Sequence, residues 1–83
     1  MTVKEKLEAA KSKVKIGEKY AHYKSPDKAY RVVNVALLEA DEEPCVVYQA
    51  EFGDALLWVR PFHSFFSEVD VDGKKIARFH KTC

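Results

Sequence analysis

The chain has 83 residues, of which 47% are hydrophobic and 33% charged, so it suits one small folded domain rather than a disordered chain. Fourteen lysines and arginines against thirteen acids give a net charge of +1, which disfavours a surface built wholly for polyanions. Ordering such a chain costs about 1.5 kcal/mol per residue, and one small core must offset that cost. A deep, enclosed active site therefore does not fit beside the core.

The composition also excludes several classes of location. Two cysteines, Cys45 and Cys83, are too few and too far apart for the disulfide framework of a small secreted domain. The most apolar window, residues 32–38, falls far short of the roughly 20 residues that span a bilayer. The lysine-rich N-terminus lacks the apolar core of a signal peptide. We therefore expect a reduced, cytoplasmic setting and no membrane partner.

The first segment, residues 1–15, has the pattern of a helix. Thr2 and Glu5 have the spacing of a capping box, in which each side chain accepts a hydrogen bond from the other's free backbone N–H. The apolar residues then recur at helical spacing, at Val3, Leu7, Ala10 and Val14. Gly17 ends the segment. This narrow apolar stripe predicts a short helix that must dock on the rest of the chain to persist.

From residue 17 to residue 83 the pattern indicates a single, mainly β domain. The chain has ten valines against five leucines, and nine Phe and Tyr residues, which favour half-buried pleated surfaces. We predict strands near residues 19–24, 30–38, 45–52 and 56–60 and a terminal hairpin. The predicted turns between them are 25–27, 41–44 and 53–54. About five short strands around one small core predict a barrel.

The terminal hairpin is the most specific of these predictions. Asp72-Gly73 supplies the two positive-φ residues of a type I′ turn. A two-residue loop there pairs Val71 with Lys74 and Val69 with Ile76. Just before the hairpin, residues 61–66 show neither strand alternation nor helix length, and we predict a short 3₁₀-like connection.

Charge is unevenly distributed along the chain. Residues 1–24 carry a net +4, whereas residues 39–54 contain six acids and no base. A dipolar surface of this kind could orient self-association or a charged partner. The simpler alternative is a solvated acidic stretch that keeps a small protein in solution.

A series of short motifs then resembles a known family. The motifs are Tyr20-Ala21-His22-Tyr23-Lys24, Tyr30-Arg31-Val32, Val46-Val47-Tyr48-Gln49, Phe52-Gly53, Trp58-Val59-Arg60-Pro61 with Phe65, and Val69, Gly73 and Arg78-Phe79. Their order over residues 17–79 resembles the bacterial domain of unknown function 1653 family. The resemblance implies a compact, mainly β domain of SH3-like barrel type and implies no reaction. Departures from the residues common in the family, at Ser25, Ser64 and Ala77, affect turn details only.

Signatures of catalysis and cofactor binding are not found in the sequence. Three glycines cannot build a phosphate-cradling loop, and no nucleophile elbow or Cys-x-x-Cys occurs. His80 and Cys83, with Cys45 or His63, could in principle hold zinc, but a C-terminal tail and a strand cysteine are the simpler identities. Cys45 has no evident activating base beside it. We predict neither a cofactor nor a metal site.

Aromatic and basic residues form the more informative constellation. Because residues two apart in a strand share a face, Tyr20, His22 and Lys24 are predicted to point one way and Tyr23 the other. The candidate ligand-binding residues are Tyr20, His22, Tyr23, Lys24, Tyr48, Trp58 and Arg60. Aromatic rings beside cations can stack a ring and clamp a phosphate or carboxylate.

Trp58 and Arg60 are central to this candidate site. They share one strand face, whereas Leu57 and Val59 are predicted to face the core. Pro61 then ends the ladder. The alternative is structural, with Trp58 capping the core and Arg60 pairing with an acid from residues 39–54. Phe79 is predicted to belong to the core rather than to a ligand platform.

These observations favour a small non-enzymatic binding module for a peptide or, weakly, for single-stranded nucleic acid. A structural or homo-oligomeric protein is the second hypothesis. The third is a small enzyme that uses His22 with Lys24 or Tyr23 as acid–base groups, although nothing supplies a nucleophile or metal.

Overall fold

The computed structural model describes residues 2–82 as a mainly β fold with one N-terminal helix. In chain order the elements are α1 (Val3–Lys13), β1 (Lys19–His22), β2 (Ser25–Leu38), β3 (Glu43–Ala50), β4 (Leu57–Pro61), α2 (Phe62–Phe65), β5 (Glu68–Val71), β6 (Lys74–Ala77) and β7 (Phe79–Lys81). Five strands form an antiparallel sheet in the order β4-β3-β2-β1-β7, and β5 and β6 form a separate hairpin. Among these residues, no helix is long and apolar enough to span a membrane.

The predicted N-terminal helix is confirmed, with the capping box at its start. The Thr2 hydroxyl accepts from the Glu5 backbone N–H at 3.1 Å, and the Glu5 carboxylate accepts from the Thr2 N–H at 3.0 Å. Ala10 and Val14 are buried in the same apolar cluster as the sheet residues. The helix is stable here because its apolar stripe docks on the sheet.

The start of β2 differs from the prediction. Residues 25–27 lie inside the strand instead of forming a turn, and the tight turn between β1 and β2 consists of Tyr23 and Lys24. Pairing is irregular between Ala21 and His22, because β2 contributes the extra residues 26–28 there. A proline is tolerated at such a bulge, since it has no N–H to donate to a ladder.

The central strand, β2, is long enough to pair on both sides. Residues 25–31 pair with β1 and residues 30–38 with β3, so Tyr30 and Arg31 pair on both sides. A second bulge between Val32 and Asn34 bends the strand. The sheet curves so far that the Arg60 guanidinium of β4 lies 5.6 Å from the ring centroid of Phe79 in β7. These are the two edge strands of the sheet. Within the described residues no sheet closes by hydrogen bonds, so a barrel is not confirmed.

The C-terminal third contains one confirmed hairpin and one unpredicted strand. Val71 pairs with Lys74 and Val69 with Ile76, as predicted, and both Asp72 and Gly73 have positive φ. The 3₁₀-like connection is instead one turn of α-helix, α2, in which the Phe66 N–H donates to the Phe62 carbonyl at 3.1 Å. The last strand, β7, pairs with β1.

The core is dominated by aromatic side chains. Phe65 of α2 is fully buried and stacks on Phe79 at a centroid distance of 4.2 Å. Its ring also meets Tyr20 and Tyr48 edge-on at 5.2 and 5.4 Å. One short helical turn thus joins three strands of the sheet.

Replacing Phe65 by alanine should lower the free energy of unfolding by about 3–5 kcal/mol, because it removes a buried ring and leaves a cavity. Phe66→Ala is the matched control, since that neighbouring ring is 37% exposed. We expect its loss to be much smaller. Urea unfolding followed by circular dichroism measures both values, and equal losses would contradict the central position assigned to Phe65.

Candidate functional site

The concave face of the sheet carries a groove of about 240 Å³. Its lining consists of His22, Tyr30, Tyr48, Trp58, Arg60 and Phe79, and we call it the aromatic groove. Every strand of the five-stranded sheet contributes at least one of these residues.

Strand register explains why these side chains meet. Tyr48 lies opposite Trp58, Val46 opposite Arg60, and His22 opposite Phe79. Directly opposed residues share a face of the sheet, and so do residues two apart in one strand. The pairing therefore brings the aromatic residues of β3, β4 and β7 to one surface.

The floor of the aromatic groove is part of the core. Tyr30, Tyr48 and Phe79 meet edge to face, with centroid distances of 5.3 Å from Tyr30 to Tyr48 and 5.5 Å from Tyr48 to Phe79. Beneath them, Phe65 stacks on Phe79. Because these rings are held by packing on several sides, the floor is rigid before any ligand arrives.

Two side chains of the wall are positioned to contact a ligand. Trp58 is 49% exposed, so a large part of its indole is available for stacking. Arg60 donates to the Ser64 hydroxyl at 3.1 Å and joins no ion pair among the residues that the structure describes. The structural alternative pairs Arg60 with an acid of residues 39–54, and no such pair occurs among the described residues. Trp58 lies opposite the buried Tyr48 on the core face of the sheet, as that alternative also has it.

His22 lies at the end of the groove next to the β1–β2 turn. Its Nδ1 accepts a hydrogen bond from the Lys24 backbone N–H at 3.2 Å, so the neutral ring carries its proton on Nε2. Burial lowers the pKa of His22, and the positive charges of Arg60, Arg78 and Lys24 lower it further. The imidazole is therefore neutral at physiological pH and can donate from Nε2.

The predicted site residues fall into three groups. His22, Tyr48, Trp58 and Arg60 come together in the aromatic groove. Tyr23 and Lys24 form the β1–β2 turn at the groove's end, where the Tyr23 ring lies 4.7 Å from His22 and the Lys24 ammonium 5.8 Å from Tyr23. Tyr23 thus contacts His22 instead of pointing the opposite way, because β1 ends at His22 and strand alternation stops there.

The third group is Tyr20 alone, which is buried in the core against Phe65 and does not line the groove. Conversely, the sequence did not point to Tyr30 and Phe79 as groove residues. The burial predicted for Phe79 is confirmed, and the same ring also forms part of the floor. Tyr30 shares a face with Val32 at strand spacing, but only its pairing opposite Ala50 in β3 places it beside Tyr48.

The prediction that Leu57 and Val59 face the core is wrong. Both side chains are 61% exposed. They alternate with Trp58 and Arg60 as expected, but the core lies on the side of Trp58 and Arg60. The alternation was correct and the assignment of its two faces was reversed.

Other candidates for chemistry lie away from this groove. Cys45 is buried, and burial followed by the charge of Asp41 raises its pKa, which opposes thiolate formation. Residues 2–82 contain no group of three His, Cys, Asp or Glu side chains placed to hold a metal ion. The zinc alternative involves Cys83, which lies outside the described residues.

A larger cavity of about 310 Å³ lies between α1 and α2. Its apolar wall includes Ala10, Pro44 and Phe62, while its Lys6 is already paired with Glu43 at 3.2 Å. The described lining of this cavity contains no tryptophan and no arginine, whereas the aromatic groove has a half-exposed indole beside a guanidinium. We therefore consider the aromatic groove the better candidate site.

Comparison with known proteins identifies one family. The model of a family described as "Protein of unknown function (DUF1653)" matches residues 18–81. No curated protein and no solved structure matches the chain. The match begins after α1 and includes every residue of the aromatic groove.

The environment of His22 has a measurable consequence for pH dependence. Its pKa lies below the ordinary value of about 6.5 in the folded chain, so the unfolded chain binds more protons at this residue as the pH falls. His22 therefore contributes stability that is present above pH 6.5 and is lost progressively as the pH falls below that value. In an NMR titration the His22 midpoint should rise in Arg60→Gln and stay constant in the control Lys75→Gln. A midpoint insensitive to Arg60 would contradict the proximity of the two groups.

Proposed function

The chain belongs to the DUF1653 family, and because that description names no activity, we propose a function from the geometry of the aromatic groove: non-enzymatic binding of single-stranded nucleic acid. The observation that carries the proposal is the half-exposed Trp58 indole beside the Arg60 guanidinium, which forms no ion pair among the described residues. A nucleotide supplies both a flat ring for the first group and a phosphate for the second.

Charge around the groove supports an anionic ligand. The charged side chains that act on His22 are all cationic: Arg60, Arg78 and Lys24. The acids of the 39–54 segment are partly neutralised elsewhere, since Glu43 pairs with Lys6 and Glu51 with Lys19. A local positive potential can therefore exist at the groove although the net charge is only +1.

Groove size limits how much ligand is held. About 240 Å³ accommodates one ring and an adjoining group rather than a long segment. With one or two phosphate contacts, we expect binding to be weak and its dependence on salt to be shallow, with a log–log slope of about −0.7 per contact. A short oligonucleotide that passes across Trp58 fits these limits.

A peptide is the second candidate ligand, favoured by the near-zero net charge and by the apolar floor. An enzyme using His22 is less well supported, because its Nδ1 already accepts from the Lys24 N–H and the described lining of the groove has no Ser, Thr, Cys, Asp, Glu or Lys side chain. An SH3-like barrel stays part of the proposal, supported by the approach of Arg60 to Phe79 across the sheet edges. A bacterial origin and a cytoplasmic location stay predictions.

The test uses short, unstructured, labelled oligonucleotides and fluorescence anisotropy. Trp58→Ala should weaken binding about tenfold, because stacking of one base contributes ~1–3 kcal/mol. Arg60→Gln should weaken binding and make the salt slope shallower. Lys75→Gln is the matched control, since it removes one positive charge from an exposed residue of β6 outside the groove.

Equal losses in Arg60→Gln and Lys75→Gln would indicate non-specific charge attraction and contradict the proposal. NMR shift mapping with a mixture of short peptides decides between the two candidate ligand classes. If peptides shift the groove resonances and oligonucleotides do not, the ligand class is peptide and nucleic acid is excluded.

A further inference from the structure

Strand β4 is an edge of the sheet whose outward-facing residues are apolar. Within residues 2–82 the strand pairs with β3 on one side only. Leu57 and Val59 are each 61% exposed on the face opposite the groove. Exposed apolar residues on an unpaired edge are uncommon in proteins that stay monomeric, because such an edge is a template for another strand.

The backbone of β4 is available for such pairing. The Ala50 N–H donates to the Leu56 carbonyl at 3.0 Å, and hydrogen-bonded positions in an antiparallel ladder recur every second residue. The ladder therefore directs the backbone groups of Trp58 and Arg60 toward β3. Those of Leu57 and Val59 point to the free side.

The other edge of the sheet differs in each respect. Strand β7 has only three residues, and it includes His80 and Lys81. Lys81 pairs with Glu18, so a charged group lies at this edge. Short length, charged side chains and proline all oppose pairing at an edge. Strand β4 is longer than β7, its one charged residue, Arg60, lies on the groove face, and its proline is the last residue of the strand.

We propose that β4 pairs with β4 of a second copy of this chain, antiparallel and centred on Val59. This register places Val59 opposite Val59 of the second copy and Leu57 opposite its Pro61. Pro61 lacks an N–H, so each end of the new ladder loses one hydrogen bond while the centre keeps both. The pairing joins the two five-stranded sheets edge to edge.

Side-chain chemistry favours a second copy over an unrelated strand. In this register Trp58 lies opposite Arg60 of the second copy on the groove face, and the reverse contact occurs across the twofold axis. An indole facing a guanidinium is a favourable cation–π pair, so the strand is complementary to itself. The two aromatic grooves then lie side by side on one continuous sheet.

The inference does not rest on the proposed nucleic-acid binding, although Trp58 and Arg60 take part in both, and its first test is the oligomeric state of the chain without oligonucleotide. Sedimentation of the full chain from micromolar to millimolar concentration should show a mass rising from 9.5 kDa toward twice that value. Val59→Lys should stay at the monomer mass, because it places two like charges opposite each other at the twofold axis. A wild-type chain that stays monomeric throughout the range would overturn the proposal.

Cross-linking tests the register without relying on a disruptive substitution. In a Cys83→Ser background, Val59→Cys should form an intermolecular disulfide with oxidised glutathione, since opposed Cα atoms lie about 5.5 Å apart. Leu57→Cys is the matched control, with the same exposure on the same strand face. In the proposed register the Cα atoms of the two Leu57 residues are about 14 Å apart and cannot be bridged.

Two further results would overturn the proposal. Equal cross-linking of Val59→Cys and Leu57→Cys would show random collision or another register. A monomeric chain that instead binds added peptide strands, with NMR shifts along β4, would show that this edge takes a different partner.

Discussion

The stacking of Phe65 on Phe79 is the contact on which the other features depend. Phe65 belongs to the single turn of α2, and Phe79 to the edge strand β7, so their stack at 4.2 Å joins the two elements on either side of the β5–β6 hairpin. The same Phe79 ring faces His22 at 5.0 Å and the Arg60 guanidinium at 5.6 Å. One ring is therefore both core and groove floor. A chain of 83 residues has too few large side chains to keep these roles separate.

Local signals in the sequence predicted their structures well. The capping box at Thr2 and Glu5 depends on residues three apart, and the Asp72-Gly73 turn on two adjacent residues. By contrast, β7 has three residues and pairs with β1 almost sixty positions away. Pro26 suggested a turn because its neighbours are turn formers, but the long-range pairing of β2 accommodates it in a bulge. Structure determined by distant pairing could not be predicted from these local patterns.

In the candidate site, too, local sequence patterns predicted some features, and long-range strand pairing determines the others. Alternation alone placed Trp58 and Arg60 on one face, and the structure brings His22 and Tyr48 to the same groove. Alternation could not say which face is the core, and for Leu57 and Val59 the assignment was reversed. The order β4-β3-β2-β1-β7 decides this, because it leaves β4 at an edge and folds its aromatic side over Tyr48. Tyr30 and Phe79 could not be predicted as groove residues without the same strand order.

Trp58 is the only tryptophan in the chain. It is half exposed on the wall of the groove, and an indole can be excited selectively in the presence of the four tyrosines, so its emission reports on the groove alone. Its emission spectrum reflects the polarity around that single indole, without averaging over other sites. Contact at the groove and contact at the neighbouring strand edge should alter this spectrum differently, because stacking quenches an indole whereas apolar covering shifts its emission to shorter wavelength. The unlabelled chain can thus serve as its own optical sensor.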